Sequence, residues 1–348
     1  MEPRQARAVS TPGHPQLVAD LRIAALAGSP HLDCISGVCT AIDVAERDWS
    51  SGSFPGPPHV LLIESSGLRA RADDEGPVAD EKVERAAELI DWAEREGIST
   101  ALWETALMRR IQTPTPLLRD VEHVFVVDPE AVEPLTEKRE GRRPMRLPLA
   151  AQAVPTEVPG YGGRRNPVAF VGGWPAGFKG RFQEELEAIL DVAAEHGLVI
   201  LRSESGAPSD ALPDRFSSFV RSVSSAAETH QAFADSRMVV AFDPANSGRL
   251  AVPQVSLDAL AAGSVLVAPS HTGIRSMFRY TGLFAKDREE AKEEIGRVLG
   301  SEEEWSEMSE AGRKSILHAH TYSNRLATIA SAAGFQVVPE PLSEAGVT

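Results

Sequence analysis

Three features of the 348-residue chain predict an α/β architecture of two doubly wound, Rossmann-like domains facing a cleft. Short aliphatic runs of strand length alternate with longer amphipathic stretches, the pattern of parallel βαβ units. The alternation breaks near residue 148 in a Pro- and Gly-rich stretch and then restarts. The length suits two domains of roughly 150 residues each.

In the first half, Leu21–Ala27, Val60–Ile63, Thr100–Trp103 and Val121–Val127 read as buried strands bounded by polar or turn residues. Asp80–Glu96 reads as a helix: Val83, Ala87, Leu89, Ile90 and Ala93 recur at helical spacing, and Gly97 supplies the stop. Residues 149–166, with Pro155, Pro159 and Gly162-Gly163-Arg164-Arg165, read as an interdomain linker or a loop across the cleft. In the second half, strands are expected at Val168–Val171, Leu198–Leu201, Met238–Phe242 and Val265–Ala268. Helices are expected at Arg181–His196, Gln231–Ser236, Val255–Ala262, Arg288–Leu299, Glu302–His318 and Tyr322–Ala333. The expected division is a flexible N-terminus over 1–19, a first domain over 20–150, a second over 151–335 and a tail over 336–348.

Composition narrows the function. With 42% hydrophobic and 24% charged residues, the chain lies in the globular range. Its 35 basic against 50 acidic residues leave a net charge of −15, which repels a phosphate backbone at long range. Non-specific nucleic-acid binding is therefore not expected. Cys34 and Cys39, the only cysteines, cannot complete a four-thiolate zinc site or a secreted disulfide framework. The N-terminal stretch lacks the apolar core of a signal peptide, and no apolar run approaches the ~20 residues that span a bilayer. A soluble, cytoplasmic protein without a transmembrane segment is the expectation.

The polar candidates cluster after strands. Phe170–Arg181 leaves a strand and enters a helix through Gly172 and Gly173, with Lys179 and Arg181 at the helix start. Glycines let the backbone approach a ligand, and free N–H groups there attract an anion such as a diphosphate. The stretch lacks the Gly-Lys-Ser/Thr of a Walker A loop and the spacing of the dinucleotide fingerprint. The plainer reading is a Gly-rich connection with incidental basic residues. Next, Asp243–Arg249 carries Asn246 and Ser247, and the helix that follows carries Gln254 and one acid, Asp258. That carboxylate suits ribose hydroxyls, or simply faces solvent. A third Gly turn, at Gly273, offers backbone N–H groups to an anionic or sugar oxygen. In the first half, Glu64 and Glu104 directly follow two strands and are candidate bases or hydroxyl acceptors; such residues also commonly solvate a sheet edge. His31, just beyond the first strand, is a further base candidate or an ordinary loop histidine. His318 and His320 are too sparse for a metal site, and no metal is expected.

The stretches SLDALAAGSVLVAP (256–269), TGIRSMF (272–278) and SEAGRKSILHAHTYSNRLATI (309–329) resemble the C-terminal domain of CgeB-like bacterial glycosyltransferases, relatives of the group-1 GT-B enzymes. The terminal signature is His320-Thr321-Tyr322-x-x-Arg325. VLLIESS, GISTALWE and VEHVFVVDPEAV are similar to the first domain of that family, and VAFVGGW to the opening of its second. The similarity spans about residues 20–335. It implies a GT-B fold with the last helix (322–334) returning to an acceptor-side first domain. It also implies a nucleoside-diphosphate sugar (UDP- or GDP-hexose) as donor against the second domain, with Asp258 on the ribose and Lys179 and Arg181, after Gly172 and Gly173, on the diphosphate; Asn246, Ser247, Gln254 and Gly273 complete the donor-side candidates. The implied reaction moves the sugar to an acceptor hydroxyl, without metal or cofactor and with retention of configuration. The acceptor is unspecified: a small molecule, a glycan or another biopolymer.

Three positions depart from the family texture. Asp258 is shorter than the usual Glu, Val255 replaces an Arg, and Glu104-Thr105-Ala106-Leu107 replaces an acidic run. They motivate an alternative: a catalytically impaired, glycosyltransferase-like binding or assembly protein. A nucleotide-sugar epimerase is a third reading.

Overall fold

The computed structural model describes residues 16–45, 56–70, 77–107, 110–172, 174, 180–203, 212–242 and 250–339. Its frame is two six-stranded sheets, each parallel throughout.

The first sheet runs in the order β2 (Thr40–Asp43), β1 (Arg22–Leu26), β3 (Val60–Glu64), β4 (Ser99–Glu104), β5 (His123–Val126), β6 (Met145–Arg146). Parallel strands need a crossover, and helices supply most of them: α1 (His31–Ser36), α2 (Asp80–Glu96), α3 (Thr115–Asp120) and α4 (Val132–Lys138). Because both faces of such a sheet are covered, the central strands are aliphatic along their length, and every residue of β3 is buried. One face packs Leu61, Ile63, Leu102 and Val124 against Leu89, Ile90 and Ala93 of α2.

The second sheet runs β12 (Gly282–Phe284), β11 (Val265–Ala268), β10 (Ser236–Val240), β7 (Asn166–Val171), β8 (Leu198–Ser203), β9 (Val220–Val223). Its helices are α5 (Arg181–His196), α6 (Ala226–Ala234), α7 (Gln254–Ala261), α8 (Thr272–Met277), α9 (Arg288–Leu299) and α10 (Glu302–Ala319). The last helix, α11 (Tyr322–Ala332), leaves this unit. Tyr322, Leu326, Ile329 and Ala330 pack on the second face of the first sheet, against Val60, Leu62, Ala101, Trp103 and Phe125. No helix among the described residues is long and apolar enough to cross a membrane.

The chain thus passes between the domains twice, and the passages are tied together. Ala151 N–H donates to the His320 carbonyl at 2.9 Å. Arg325 then donates to the carbonyls of Pro148 (2.6 Å), Leu149 (2.7 Å) and Ala319 (2.8 Å), and its Nη2 lies 3.1 Å from His320 Nδ1. Burial and the Arg325 charge push the His320 imidazole down to about 4, so it stays a neutral acceptor. Thr321 caps α11, accepting from Asn324 N–H. The His-Thr-Tyr-x-x-Arg signature is therefore largely the joint between domains.

In both sheets the direction of strand addition reverses, between β1 and β3 in the first and between β7 and β10 in the second. The crevice outside such a reversal, at the carboxyl ends of the strands, is where α/β sheets take ligands.

Four strands escape the sequence reading: β2, β6, β9 and β12. All are edge strands of two to four residues, and β2, β6 and β9 are largely accessible, so no aliphatic run marks them. α1, α3, α4 and α8 are too short to show periodicity. The helix expected from Gln231 begins at Ala226, because Ser225 caps it by accepting from Glu228 N–H. It also ends earlier, at Ala234, since Ser236 already belongs to β10.

Candidate functional site

A cavity of about 280 Å³ lies between the domains. The first domain contributes His31, Arg69, Thr105 to Leu107, Arg110 and Val127. The linker contributes Leu149 and Gln152, and the second domain contributes Ala251 to Gln254, the lead-in and first residue of α7. Among the described lining residues there are two guanidiniums and an imidazole but no carboxylate. Among the described residues, no group of three or more His, Cys, Asp or Glu is placed to hold a metal ion.

His31 opens α1 at the reversal between β1 and β3. Close backbone approach sets this corner: a Cβ on Gly67 would lie 2.7 Å from the Leu26 carbonyl oxygen, and one on Gly28 would lie 2.5 Å from Ser66 Oγ. At Gly67 the neighbour is backbone, so only glycine lets the two loops meet there. His31 is buried, its Nδ1 2.7 Å from the Tyr322 hydroxyl and its Nε2 4.0 Å from Glu64 Oε1. The Trp103 ring stands edge-on to both rings, with centroids 5.9 Å and 6.1 Å away. Burial raises the Tyr322 phenol well above its ordinary value, so it stays protonated. The hydrogen bond thus joins the Tyr322 hydroxyl to Nδ1 and leaves Nε2 facing Glu64. Cys34 donates to the Gln152 carbonyl, and burial pushes its thiol up to about 11, which leaves it unreactive near neutrality.

The arginines come from the loops after β3 and β4. Arg69 is 4% exposed, and its backbone is held by a bridge to Val78 and by Lys82 Nζ donating to its carbonyl at 2.7 Å. Its Nη2 lies 3.4 Å from the Arg110 carbonyl oxygen and links the two loops.

On the opposite wall, Pro253 precedes α7 without a side-chain cap, so the positive end of the helix dipole lies at the cavity. Gln254 Nε2 donates to the Ala150 carbonyl at 2.9 Å and to both oxygens of Asp258 at 3.0 Å.

The structure distributes the sequence candidates unevenly. His31 and Gln254 line the cavity, and Glu64 stands behind His31. Gly173, Lys179, Asn246 and Ser247 lie outside the described residues; Gly172 closes β7 with φ 148°. The other described candidates have structural partners within the protein. Arg181 is 71% exposed, pairs with the buried Glu185 at 2.5 Å and does not line the cavity. Glu185 needs that cation, because its other oxygen is committed to Ser270 N–H at 2.8 Å. Asp258 does not face solvent: it is 4% exposed and also accepts from Gln152 N–H at 2.7 Å, which fastens the linker to α7. Gly273 meets protein backbone, since a Cβ there would lie 2.7 Å from the Leu250 and Ala251 carbonyl oxygens. His271 caps that turn, accepting from Ile274 N–H.

The two carboxylates expected at strand ends are buried rather than edge-solvating. Glu64 accepts from Ser66 N–H (3.0 Å) and from the hydroxyls of Ser66 and Thr105. Glu104 accepts from Ala106 N–H (3.1 Å) and Thr113 Oγ1 (2.6 Å), and burial raises its pKa, with Glu64 adding to the rise. Both brace loops of the cavity wall. Sequence reasoning missed Arg69, Arg110, Thr105 and Gln152. The signal for the first three was positional: each follows the carboxyl end of β3 or β4.

Comparison with known proteins agrees with this architecture. Residues 208–331 match a family described as glycosyl transferase-like. No curated protein matches the chain. Among solved structures, the chain is similar to an α-glucosyltransferase in complex with UDP and a 13-mer DNA containing an HMU base. The TM-score is 0.61 at 10% identity, covering 86% of each chain. An α-glucosyltransferase with UDP-glucose and DNA containing an abasic site gives 0.56 at 11% identity over 86% of this chain and 85% of that one. TarM gives 0.51 at 9% identity over 79% of this chain and 54% of that one. With its two parallel sheets and flanking helices, this chain has the GT-B fold.

Proposed function

We propose that the protein is a glycosyltransferase that moves a hexose from a nucleoside diphosphate to an acceptor hydroxyl in the interdomain cavity. The observation that carries this is the cavity itself. It lies between the facing domains of a GT-B fold, its second-domain wall falls within the stretch matching the glycosyl transferase-like family, and its described lining is cationic. A diphosphate leaving group develops negative charge as the glycosidic bond breaks. The start of α7 is preorganised to offset that charge.

In this reading the donor lies against the second domain, at the reversal between β7 and β10 and the start of α7. The acceptor enters from the first domain, and His31 is the catalytic residue nearest the reacting atoms. His31 would hold or return a proton at the acceptor or leaving oxygen, and Tyr322 and Trp103 position the ring. The leaving group is stabilised by protein groups alone, the configuration is retained, and the narrower CgeB-like resemblance belongs to the same reading. The α-glucosyltransferase neighbours were solved with DNA. A net charge of −15 argues against a nucleic-acid acceptor here.

Calorimetry against uridine, guanosine and thymidine diphosphates tests the reading: binding of one of them, lost in a competition with its sugar conjugate, is expected. No affinity for any of the three sinks it. The anomeric configuration of the product, read by NMR, tests retention.

A further inference from the structure

We infer that Gln254 determines specificity for the donor sugar: its amide oxygen accepts a hydrogen bond from one hydroxyl of the hexose to be transferred, and that position of the sugar must be a donor. This rests on the glycosyltransferase reading and specifies the sugar half of its first substrate.

The orientation of the amide follows from what surrounds it. Nε2 lies 2.9 Å from the Ala150 carbonyl oxygen and 3.0 Å from each oxygen of Asp258. A backbone carbonyl can only accept, so the side of the amide turned to Ala150 is the NH2 group. Its two hydrogens are thereby committed within the protein. One partner, Ala150, is fully buried, and the other, Asp258, is itself held by Gln152 N–H. Turning the amide over would set its oxygen against acceptors and leave buried groups without a donor.

What remains is Oε1. Among the described residues nothing donates to it, and it is not one of the buried polar atoms that lack a partner; Gln254 is half-buried and lines the cavity. The other described residues of the second-domain wall, Ala251, Val252 and Pro253, have apolar side chains. Oε1 is thus the one polar side-chain contact this wall offers, and it is an acceptor fixed before a ligand arrives. Such an atom pairs with a hydroxyl and repels a group that presents only lone pairs. It also disfavours an analogue lacking the hydroxyl, because the acceptor is then left unpaired. His31 lines the same cavity from the first domain, so a sugar held by Gln254 lies between the start of α7 and the proposed catalytic residue.

The test uses the full chain and the glucose conjugate of whichever uridine, guanosine or thymidine diphosphate binds. Calorimetry compares it with analogues in which each sugar hydroxyl in turn is replaced by hydrogen or by fluorine. Removing one particular hydroxyl should weaken binding at least tenfold, and fluorine there should not restore it, because fluorine cannot donate. In Gln254→Met the same removal should cost less than twofold, with affinity for the bare diphosphate changed less than twofold. Deoxygenated donors that all bind like the parent would overturn the inference. So would recovery with fluorine, which would make the protein the donor at that position. A tenfold loss of diphosphate affinity in Gln254→Met would also overturn it, giving the amide to the nucleotide half. If Gln254→Met fails to fold, the comparison of hydrogen with fluorine on the intact protein decides. If no nucleotide binds, the glycosyltransferase reading fails separately, and NMR hydrogen exchange of the Gln254 side-chain amide still reads its orientation. Slow exchange supports the outward-facing acceptor; exchange as fast as that of a free glutamine amide overturns it.

Discussion

The Tyr322 hydroxyl lies 2.7 Å from Nδ1 of His31, joining residues 291 positions apart in sequence. The last helix thereby reaches from beyond the second domain to a side chain at the strand reversal of the first. Tyr322→Phe removes this buried hydrogen bond and should lower stability by about 1 kcal/mol. If His31 works on the substrate, the variant should also lose several-fold in kcat with little change in KM, since the ring loses orientation rather than contact. Unfolding by urea reads the first effect and steady-state kinetics the second. An unchanged kcat would leave the pair a purely structural contact.

Arg325 holds both interdomain passages through carbonyls of Pro148, Leu149 and Ala319. Arg325→Lys keeps the charge but loses the planar fork that serves several acceptors at once. Buried carbonyls left without donors cost about 1–3 kcal/mol each. Denaturant unfolding should therefore show a loss of at least about 2 kcal/mol for the lysine variant. The single transition should broaden or divide as the domains uncouple.

Two glycines should respond oppositely to the same substitution. Gly273→Ala forces a methyl group against the Leu250 and Ala251 carbonyls, and should cost about 1–3 kcal/mol and distort the second-domain wall of the cavity. Gly296, within α9, has nothing within 4 Å of its would-be Cβ. Gly296→Ala should stabilise by about 0.5–1 kcal/mol. Thermal unfolding of the two variants side by side checks both signs.

Asp258→Asn separates two roles for one carboxylate. With Gln152 and Gln254 as its partners, the substitution should weaken the fold by about 1–2 kcal/mol and leave nucleotide affinity within a few-fold. A tenfold loss of nucleotide affinity with unchanged stability would return the residue to the ribose.

The pH response has a fixed sign at the joint. His320 titrates at about 4 when folded, below its ordinary value near 6.5. The unfolded chain therefore binds more protons between those values. The neutral imidazole's contribution is complete above about 6.5 and drains away as pH falls towards 4. Urea unfolding at pH 7, 5.5 and 4 should show this decline, and His320→Gln should flatten it.

The central strands and long helices were legible because burial writes itself as aliphatic runs and 3.6-residue periodicity; α2, α5 and α9 fall where the spacing placed them. Edge strands carry little burial and left no such mark. The site was legible by position but not by partner. His31 and Gln254 could be seen following or preceding the right elements. That Arg181 answers Glu185, and that Asp258 answers the linker, depends on contacts between distant segments that no local pattern encodes. Arg69 and Arg110 lie in no aliphatic run or periodic stretch, and only the convergence of the loops after β3 and β4 brings them to the cavity.

The two strands of chain that connect the lobes run side by side, with Ala151 bonded to the His320 carbonyl. With Arg325 bonded to the Pro148, Leu149 and Ala319 carbonyls beside it, this seam couples the two lobes along one edge, so a substitution that loosens one passage loosens the other.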